Sequence, residues 1–112
     1  MDNQFIEIAN LTSLDEFVAR LDGTPGVLFK HSNSCGVSSR AYGEMSRLQY
    51  SIGLVIVQNA RAVSDEIEKR WRIGHETPQV LIVRDDAVLW DASHFQVKAA
   101  DVEAALKQAN GQ

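Results

Sequence analysis

The chain has 112 residues, with 11 lysines and arginines against 15 aspartates and glutamates, so its net charge is −4 at pH 7. This length predicts a single domain over residues 1–112, and a hydrophobic content of 45% is enough for a core without a disulfide or a structural metal. The acidic balance argues against a nucleic-acid partner, and the longest apolar run is far shorter than the roughly 18 residues of a membrane span.

The first half of the chain alternates between strand-like and helix-like patterns of apolar residues. A capping-box pattern from Ser13 to Glu16 predicts the start of the first helix, and Gly23 and Pro25 predict its end. After a later strand and a polar loop, apolar residues again recur at helical spacing from residue 36 onward. This places Cys35 at the N-terminus of the second helix. The predicted elements are a strand over 5–9, the first helix, a strand over 26–30, the loop 31–34 and a helix over 36–50.

The second half continues this alternation and ends in a hairpin and a helix. Ser64, followed by two acids, predicts a capped helix with Trp71 facing inward. Asp85-Asp86 separates two apolar runs and predicts a two-residue hairpin connection. The predicted elements are a strand over 54–57, the capped helix, strands over 79–83 and 87–90, and a helix over 102–109. The order βαβ followed by ββα predicts an α/β fold, with a central mixed sheet flanked by helices on both faces.

Cys35 is the only cysteine of the chain, so no intrachain disulfide can form. The first twenty residues carry acids and lack the basic start and apolar run of a signal peptide. We therefore expect a reduced, cytoplasmic protein. We also expect a monomer.

The position of Cys35 favours reactivity over simple packing. The free amides and the dipole of a helix N-terminus favour the thiolate, which is the nucleophilic form of cysteine. In Cys35-Gly36-Val37-Ser38, a hydroxyl stands where a thioredoxin-type Cys-x-x-Cys site has its second thiol, so the site is monothiol. Ser38 either donates to the thiolate or is an ordinary first-turn residue. Gly36 either allows close approach of a partner or only begins the helix.

Thr77-Pro78 stands directly before the predicted strand at 79–83. Proline cannot donate to a sheet ladder, so it belongs at the first position of a strand or at an edge. Combined with the order of elements, this predicts a cis-proline that faces the thiol.

Two of the three histidines have two open interpretations each. His31 and His75 fall on loops near the thiol, where they either stabilise a thiolate or occupy strand ends. His94 and Lys30 are candidates to bind the carboxylates of an anionic thiol. The three histidines have no metal-ligand spacing, so no metal is expected.

Four motifs, in this order, resemble those of the YtxJ-type monothiol bacilliredoxins of the thioredoxin superfamily. They are Lys30-His31-Ser32 with Ser34-Cys35-Gly36-Val37-Ser38, Asn59-Ala60-Arg61 with Val63-Ser64, His75-Glu76-Thr77-Pro78-Gln79-Val80, and Ala92-Ser93-His94-Phe95. The resemblance spans residues 26–97. It implies a thioredoxin-like fold and an oxidoreductase that uses bacillithiol as co-substrate thiol and removes it from S-bacillithiolated client proteins.

The resemblance also implies roles for individual residues. Cys35 is the attacking thiol and Pro78 the cis-proline. Together with the interpretations above, the catalytic candidates are Cys35 and Ser38, and the substrate-binding candidates are His31, Gly36, Thr77, Pro78 and His94.

Two alternatives stay open. Gly36 stands where the family usually has proline, and the Cys-Gly-Val-Ser sequence is similar to the Cys-Gly-Phe-Ser of monothiol glutaredoxins. A glutathione-dependent or iron–sulfur carrier protein is therefore an alternative, although Ala92-Ser93-His94 replaces the Gly-Gly pair usual in those proteins. The other alternative is a redox-inert binding module of the same fold.

Overall fold

A five-stranded mixed sheet lies at the centre of the computed structural model, which describes residues 4–111. Residues 1–3 and 112, which the single-domain prediction includes, lie outside the described part. The strands are β1 (Phe5–Glu7), β2 (Gly26–His31), β3 (Ile52–Ile56), β4 (Gln79–Arg84) and β5 (Ala87–Ser93). The helices are α1 (Leu11–Leu21), α2 (Gly36–Met45), α3 (Arg61–Trp71) and α4 (Ala99–Ala109), with a 3₁₀ turn at His94–Gln96. No helix in the described residues is long and apolar enough to cross a membrane.

The strand β2 occupies the middle of the sheet, whose order is β1-β3-β2-β4-β5. It pairs in parallel with β3 and in antiparallel with β4. Lys30 is the partner of Gln79, so the carboxyl end of β2 lies beside the amino end of β4. The loop that leads to Cys35 and the loop that contains Pro78 therefore leave the sheet at the same edge.

Alternate residues of β2 face two separate apolar clusters, one on each side of the sheet. Val27 and Phe29 pack into the cluster that contains residues of α2 and α4. Leu28 packs into the cluster that contains residues of α1 and α3. Because side chains alternate along a strand, His31 lies on the α2 side and Lys30 on the α3 side. The predicted mixed sheet with helices on both faces is confirmed.

The predicted capping box of the first helix is wrong by three residues. Asn10 is the N-cap, and its side chain accepts a hydrogen bond from the Ser13 amide at 2.8 Å. The Ser13 hydroxyl accepts from the Asn10 amide at 3.1 Å, which completes the box. Asparagine caps a helix at least as well as serine, so α1 gains nearly one turn by starting at Leu11.

The N-cap of the third helix lies four residues before the predicted one. The helix starts at Arg61 with Ala60 as the N-cap, and the Ala60 side chain offers no capping hydrogen bond. Ala60 and Val63 are buried in the core, so packing rather than cap chemistry sets this start. Ser64 lies inside the helix, and the two acids that follow it lie in the second turn rather than the first.

The predicted hairpin at Asp85-Asp86 is confirmed, since this pair joins β4 to β5. Trp71 is buried as predicted, and its indole N–H donates to the Asp85 carbonyl at 2.9 Å. The end of α3 is thereby attached to the hairpin.

The remaining differences are shifts of element ends. The predicted helix over 36–50 ends at Met45 and continues as a turn in which the Leu48 amide donates to the Met45 carbonyl at 3.2 Å. Leu48 is buried in that turn, so the apolar spacing persists beyond the helix. The 3₁₀ turn at His94–Gln96 was not predicted. His31, predicted on the loop, is the last residue of β2. The other shifts are β1 ending at Glu7, β3 spanning Ile52–Ile56, β4 ending at Arg84, β5 ending at Ser93 and α4 beginning at Ala99.

The packing around two glycines gives a paired stability prediction. A methyl group on Gly53, the second residue of β3, would lie 2.7 Å from Ile8 Cδ1 and 3.1 Å from Phe17 Cζ. We expect Gly53→Ala to lower the free energy of unfolding by about 1–3 kcal/mol, because the core has no room for the methyl group. Gly43→Ala is the control, since Gly43 lies in α2 with nothing within 4 Å of the added atom.

We expect Gly43→Ala to raise the free energy of unfolding by about 0.5–1 kcal/mol through helix propensity. Urea unfolding of both variants measures the two effects. Equal stability of Gly53→Ala and the wild type would contradict the close packing of β3 against α1.

Candidate active site

Cys35 is the N-cap residue of α2, as predicted. Its backbone is extended, with φ −119° and ψ 125°, and its carbonyl accepts the Ser39 amide at 3.0 Å. The side chain is half-buried and makes no capping hydrogen bond. Gly36 is exposed, and a methyl group there would meet no atom within 4 Å. Cys35 therefore combines a position at a helix N-terminus with partial exposure, and the residue that follows it has open space around it.

The Ser38 hydroxyl is directed at the end of β2. Ser38 is fully buried, and its oxygen accepts a hydrogen bond from the Ser32 amide at 2.9 Å. The same oxygen lies 2.8 Å from Nδ1 of His31. Burial lowers the pKa of His31, so the ring is neutral at pH 7 and bonds to the hydroxyl without charge. The Ser38 hydroxyl therefore bonds to the Ser32 amide and to the His31 ring at the end of β2.

Gln58 holds the loop between His31 and Cys35. Its side-chain amide donates to the hydroxyls of Ser32 at 2.8 Å and Ser34 at 3.0 Å. Its carbonyl oxygen accepts the Asn33 amide at 3.2 Å. The sequence reasoning missed Gln58. Its position just after β3 was an available signal, because the carboxyl ends of adjacent parallel strands lie together.

The buried side chain of Gln79 holds the segment 74–78, which precedes β4. The Thr77–Pro78 peptide bond is cis. The carbonyl oxygen of the buried Gln79 side chain accepts the Lys30 amine at 3.2 Å and the Glu76 amide at 3.4 Å. The Gln79 amide group donates to the Gly74 carbonyl at 3.1 Å. These three bonds fix the backbone that leads into Pro78.

His94 holds the same segment from the other side. Its backbone amide donates to the Pro78 carbonyl at 2.9 Å, and its ring Nε2 lies 2.7 Å from Glu76 Oε1. The residue adopts a left-handed φ of 57°, which non-glycine residues seldom do. His94 therefore contacts a carboxylate as its chemistry predicts, but that carboxylate belongs to Glu76 of the same chain.

Lys30 cannot bind the carboxylate of an exposed thiol, and that expectation is wrong. Its side chain is fully buried and lies on the α3 side of the sheet, away from α2. Burial lowers the pKa of Lys30 to about 8, although Glu68 and Glu76 oppose the shift. The amine supports Gln79 instead.

His75 contacts α3 and Thr77. Its Nδ1 lies 3.2 Å from the Ser64 hydroxyl, and its Nε2 lies 3.4 Å from the Thr77 hydroxyl. Its pKa is lowered, first by burial and then by the Lys30 charge. The ring connects the third helix to the segment before Pro78.

The predicted site residues thus form two groups on neighbouring strands. His31, Ser38 and Cys35 lie where β2 passes into α2, and Thr77, Pro78 and His94 lie around the start of β4. In residues 4–111, no group of three or more histidine, cysteine, aspartate or glutamate side chains is arranged to hold a metal ion. The arrangement puts one half-buried cysteine and one hydrogen-bonded backbone segment at the same edge of the sheet.

Comparison with known protein families confirms the resemblance. Residues 6–102 match the family described as Monothiol bacilliredoxin BrxC. This match covers most of the chain, including both groups of site residues.

Solved structures show the fold. A structure described as having a thioredoxin fold superposes with a TM-score of 0.82 at 22% identity, over 91% of this chain and 93% of that chain. Thioredoxin of Fasciola hepatica gives 0.71 at 12% identity, over 92% and 97%. Thioredoxin f of spinach chloroplast gives 0.71 at 15% identity, over 98% and 99%. The fold is thioredoxin-like, and fold and family together indicate a thiol redox function.

The buried Ser38 hydroxyl gives a prediction for stability. Ser38→Ala removes the partner of the Ser32 amide and of His31 Nδ1, and we expect a loss of about 1–3 kcal/mol in the free energy of unfolding. Ser39→Ala is the matched control, because Ser39 is exposed on the same helix and should change stability by less than about 0.5 kcal/mol. Urea unfolding at pH 7 measures both. Similar losses in the two variants would argue against the Ser38 bonds.

The buried Lys30 amine gives a prediction for pH dependence. Between about pH 8 and pH 10.5 the folded protein loses the Lys30 proton while the unfolded chain keeps it, so this group makes stability rise with pH. Below pH 8 both states are protonated and the folded state bears the full cost of burying the charge. We expect Lys30→Met to be more stable than the wild type at pH 7 by roughly 1–3 kcal/mol.

That advantage should shrink as the pH rises from 8 to 10.5. Lys98→Met, which removes an exposed amine, should show no such trend. Urea unfolding at four pH values between 7 and 10.5 supplies the data. A difference between Lys30→Met and the wild type that does not vary with pH would contradict the lowered pKa.

Proposed function

The chain belongs to the monothiol bacilliredoxin family, and from this membership we propose that it is a thiol-disulfide oxidoreductase that removes bacillithiol from client proteins through Cys35. The single observation that carries the proposal is that the half-buried Cys35 is the N-cap residue of α2. Bacillithiol serves as co-substrate, and no metal takes part.

The reaction consists of two thiol–disulfide exchanges. The Cys35 thiolate attacks the bacillithiol sulfur of a client mixed disulfide. The bond between client and bacillithiol breaks, a bond between Cys35 and bacillithiol forms, and the client sulfur leaves as a thiolate that takes a proton from water. Free bacillithiol thiolate then attacks the bacillithiol sulfur on Cys35. This releases bacillithiol disulfide and restores the Cys35 thiolate.

The other site residues position these reactants. Ser38 and His31 fix the turn that presents the sulfur, and Ser38 cannot resolve the adduct because it has no thiol. Gly36 leaves room for the incoming disulfide, while Thr77, Pro78 and His94 form the opposite side of the site. We place the reaction in the reducing cytoplasm, in a monomer that needs neither nucleic acid nor membrane.

The use of glutathione in place of bacillithiol is the second candidate. The specific observation in its favour is Gly36, because the family usually has proline at this position and monothiol glutaredoxins have glycine. The two candidates differ only in the low-molecular-weight thiol. A direct rate comparison between the two mixed disulfides therefore separates them.

The test is the release of bacillithiol from a client protein that carries one bacillithiol mixed disulfide. With free bacillithiol present, the wild type should release the client thiol at least about 100-fold faster than Cys35→Ser, because a hydroxyl is a far weaker nucleophile than a thiolate. Serine is nearly isosteric and is itself a good N-cap, so the thermal midpoint of the variant should not fall. Mass spectrometry of the client measures the release.

Retained activity in Cys35→Ser would overturn the proposed mechanism. Ser34→Ala is the matched control, since it alters the adjacent loop without touching the nucleophile, and it should keep most of the activity. A parallel assay with the glutathione mixed disulfide should be slower by at least about tenfold, and an equal or faster rate would favour the glutathione alternative.

A further inference from the structure

A cavity of about 300 Å³ lies between α2 and the carboxyl ends of β2 and β3, and we call it the α2–β3 cavity. The described residues that line it are His31, Asn33, Ser39, Tyr42, Leu54 and Ile56. No lysine, arginine, aspartate or glutamate is among these residues. Pockets that hold small molecules begin at about 300 Å³, so this one has room for a single ring rather than a large ligand.

The α2–β3 cavity borders the turn that contains Cys35. Asn33 lies two residues before Cys35 in the chain, and the Ser39 amide donates to the Cys35 carbonyl at 3.0 Å. His31 Nδ1 lies 2.8 Å from the hydroxyl of Ser38, in the first turn of α2. The cavity is therefore at the carboxyl ends of two parallel strands, which is where open α/β sheets bind their ligands.

His31 offers a hydrogen-bond donor to the cavity. Its neutral ring bonds through Nδ1 to the Ser38 hydroxyl, whose oxygen already accepts the Ser32 amide. The buried hydroxyl proton needs an acceptor, and Nδ1 is the one that the described residues provide, so the ring proton lies on Nε2.

The Nε2 atom of His31 has no partner in residues 4–111. In the same part of the chain, every side-chain nitrogen or oxygen that is sealed from solvent has a hydrogen-bond partner. Nε2 is therefore open to solvent, although His31 is only 8% exposed, and the cavity is an open space that His31 lines.

Three further polar side chains on the cavity wall are uncharged and have no hydrogen-bond partner within the described residues. They are the Asn33 amide, the Ser39 hydroxyl and the Tyr42 hydroxyl. The Tyr42 ring is held in place, since it stacks on Phe5 at 4.7 Å and lies 5.0 Å from the His31 ring. Two residues of β3 supply apolar surface beside these groups. Such a wall suits an uncharged, hydroxylated ring, because a carboxylate or an ammonium would find no opposite charge there.

We propose that the α2–β3 cavity binds the sugar ring of bacillithiol when the bacillithiol sulfur reacts with Cys35. This inference rests on the proposed function and adds to it the contact that distinguishes bacillithiol from glutathione. Bacillithiol is a cysteine joined by an amide bond to a glucosamine ring, which also carries malate, whereas glutathione is a tripeptide without a sugar. The nitrogen of the ring is part of the amide bond, so the ring is as uncharged as the cavity wall.

The experiment compares bacillithiol disulfide with glutathione disulfide as substrates for the reduced protein. The Cys35 thiolate attacks one sulfur of the disulfide, one thiol leaves as its thiolate, and the other stays on Cys35 as a mixed disulfide. Intact mass spectrometry follows this adduct and gives a second-order rate constant for each disulfide. Ser39→Leu narrows the cavity from an exposed position of α2. We expect it to slow the bacillithiol reaction at least about fivefold and to leave the glutathione reaction within about twofold, because only bacillithiol has a ring to exclude.

Tyr42→Phe is the smaller change, since it removes one hydroxyl and keeps the ring that stacks on Phe5. It should slow the bacillithiol reaction about twofold to fivefold, the effect of one lost hydrogen bond. Ser51→Leu is the matched control for Ser39→Leu, because Ser51 is an exposed serine that precedes β3, at the other end of that strand. It should leave both rates unchanged. Thermal midpoints of the three variants should stay close to that of the wild type, because all three positions are exposed.

Two outcomes would overturn the sugar site. Equal losses with the two disulfides, in Ser39→Leu and in Tyr42→Phe, would show that these residues act on Cys35 and not on the ring. Unchanged bacillithiol rates in both variants would show that the ring binds elsewhere. A wild type that reacts with neither disulfide, or that reacts faster with glutathione disulfide, would instead contradict the proposed function, so the two failures are distinguishable.

Discussion

The hydrogen bonds of the Ser38 hydroxyl are the constraint on which the geometry of the site depends. They join the first turn of α2 to the end of β2 through the Ser32 amide and the His31 ring. Cys35 lies in the chain between β2 and α2, so these hydrogen bonds fix its position at the helix N-terminus. A second thiol at position 38 would react with the Cys35 sulfur. In this chain that position holds a buried hydroxyl, which bonds to the Ser32 amide and the His31 ring.

The middle position of β2 explains why a few contacts can define the whole site. Its pairing with β3 brings Gln58 to the reactive loop, and its pairing with β4 brings Pro78 to the same edge. The buried Lys30 amine then supports Gln79 at the cost of desolvating a charge. The buried charge lies on the side of the sheet away from α2, and Gln79 in turn bonds to the segment that leads into Pro78.

Local patterns in the sequence were sufficient to predict the order of elements, the hairpin at Asp85-Asp86 and the helix that begins after Cys35. Each of these depends on residues close together in the chain. The starts of α1 and α3 were mispredicted, because an alternative cap at Asn10 and the burial of Ala60 outweigh the serine signals. The contacts of Gln58 and Lys30 were not predictable from local patterns, since they depend on strand register between distant segments.

The central claim is that Cys35 is an exchanging nucleophile without an internal resolving partner. The most direct test is to measure the intact mass of the protein after incubation with bacillithiol disulfide. We predict a single adduct of one bacillithiol on Cys35 that persists once the excess disulfide is removed and disappears when free bacillithiol is added. An unmodified protein, under conditions that modify the urea-unfolded chain, would show that the sulfur is inaccessible and would contradict this account.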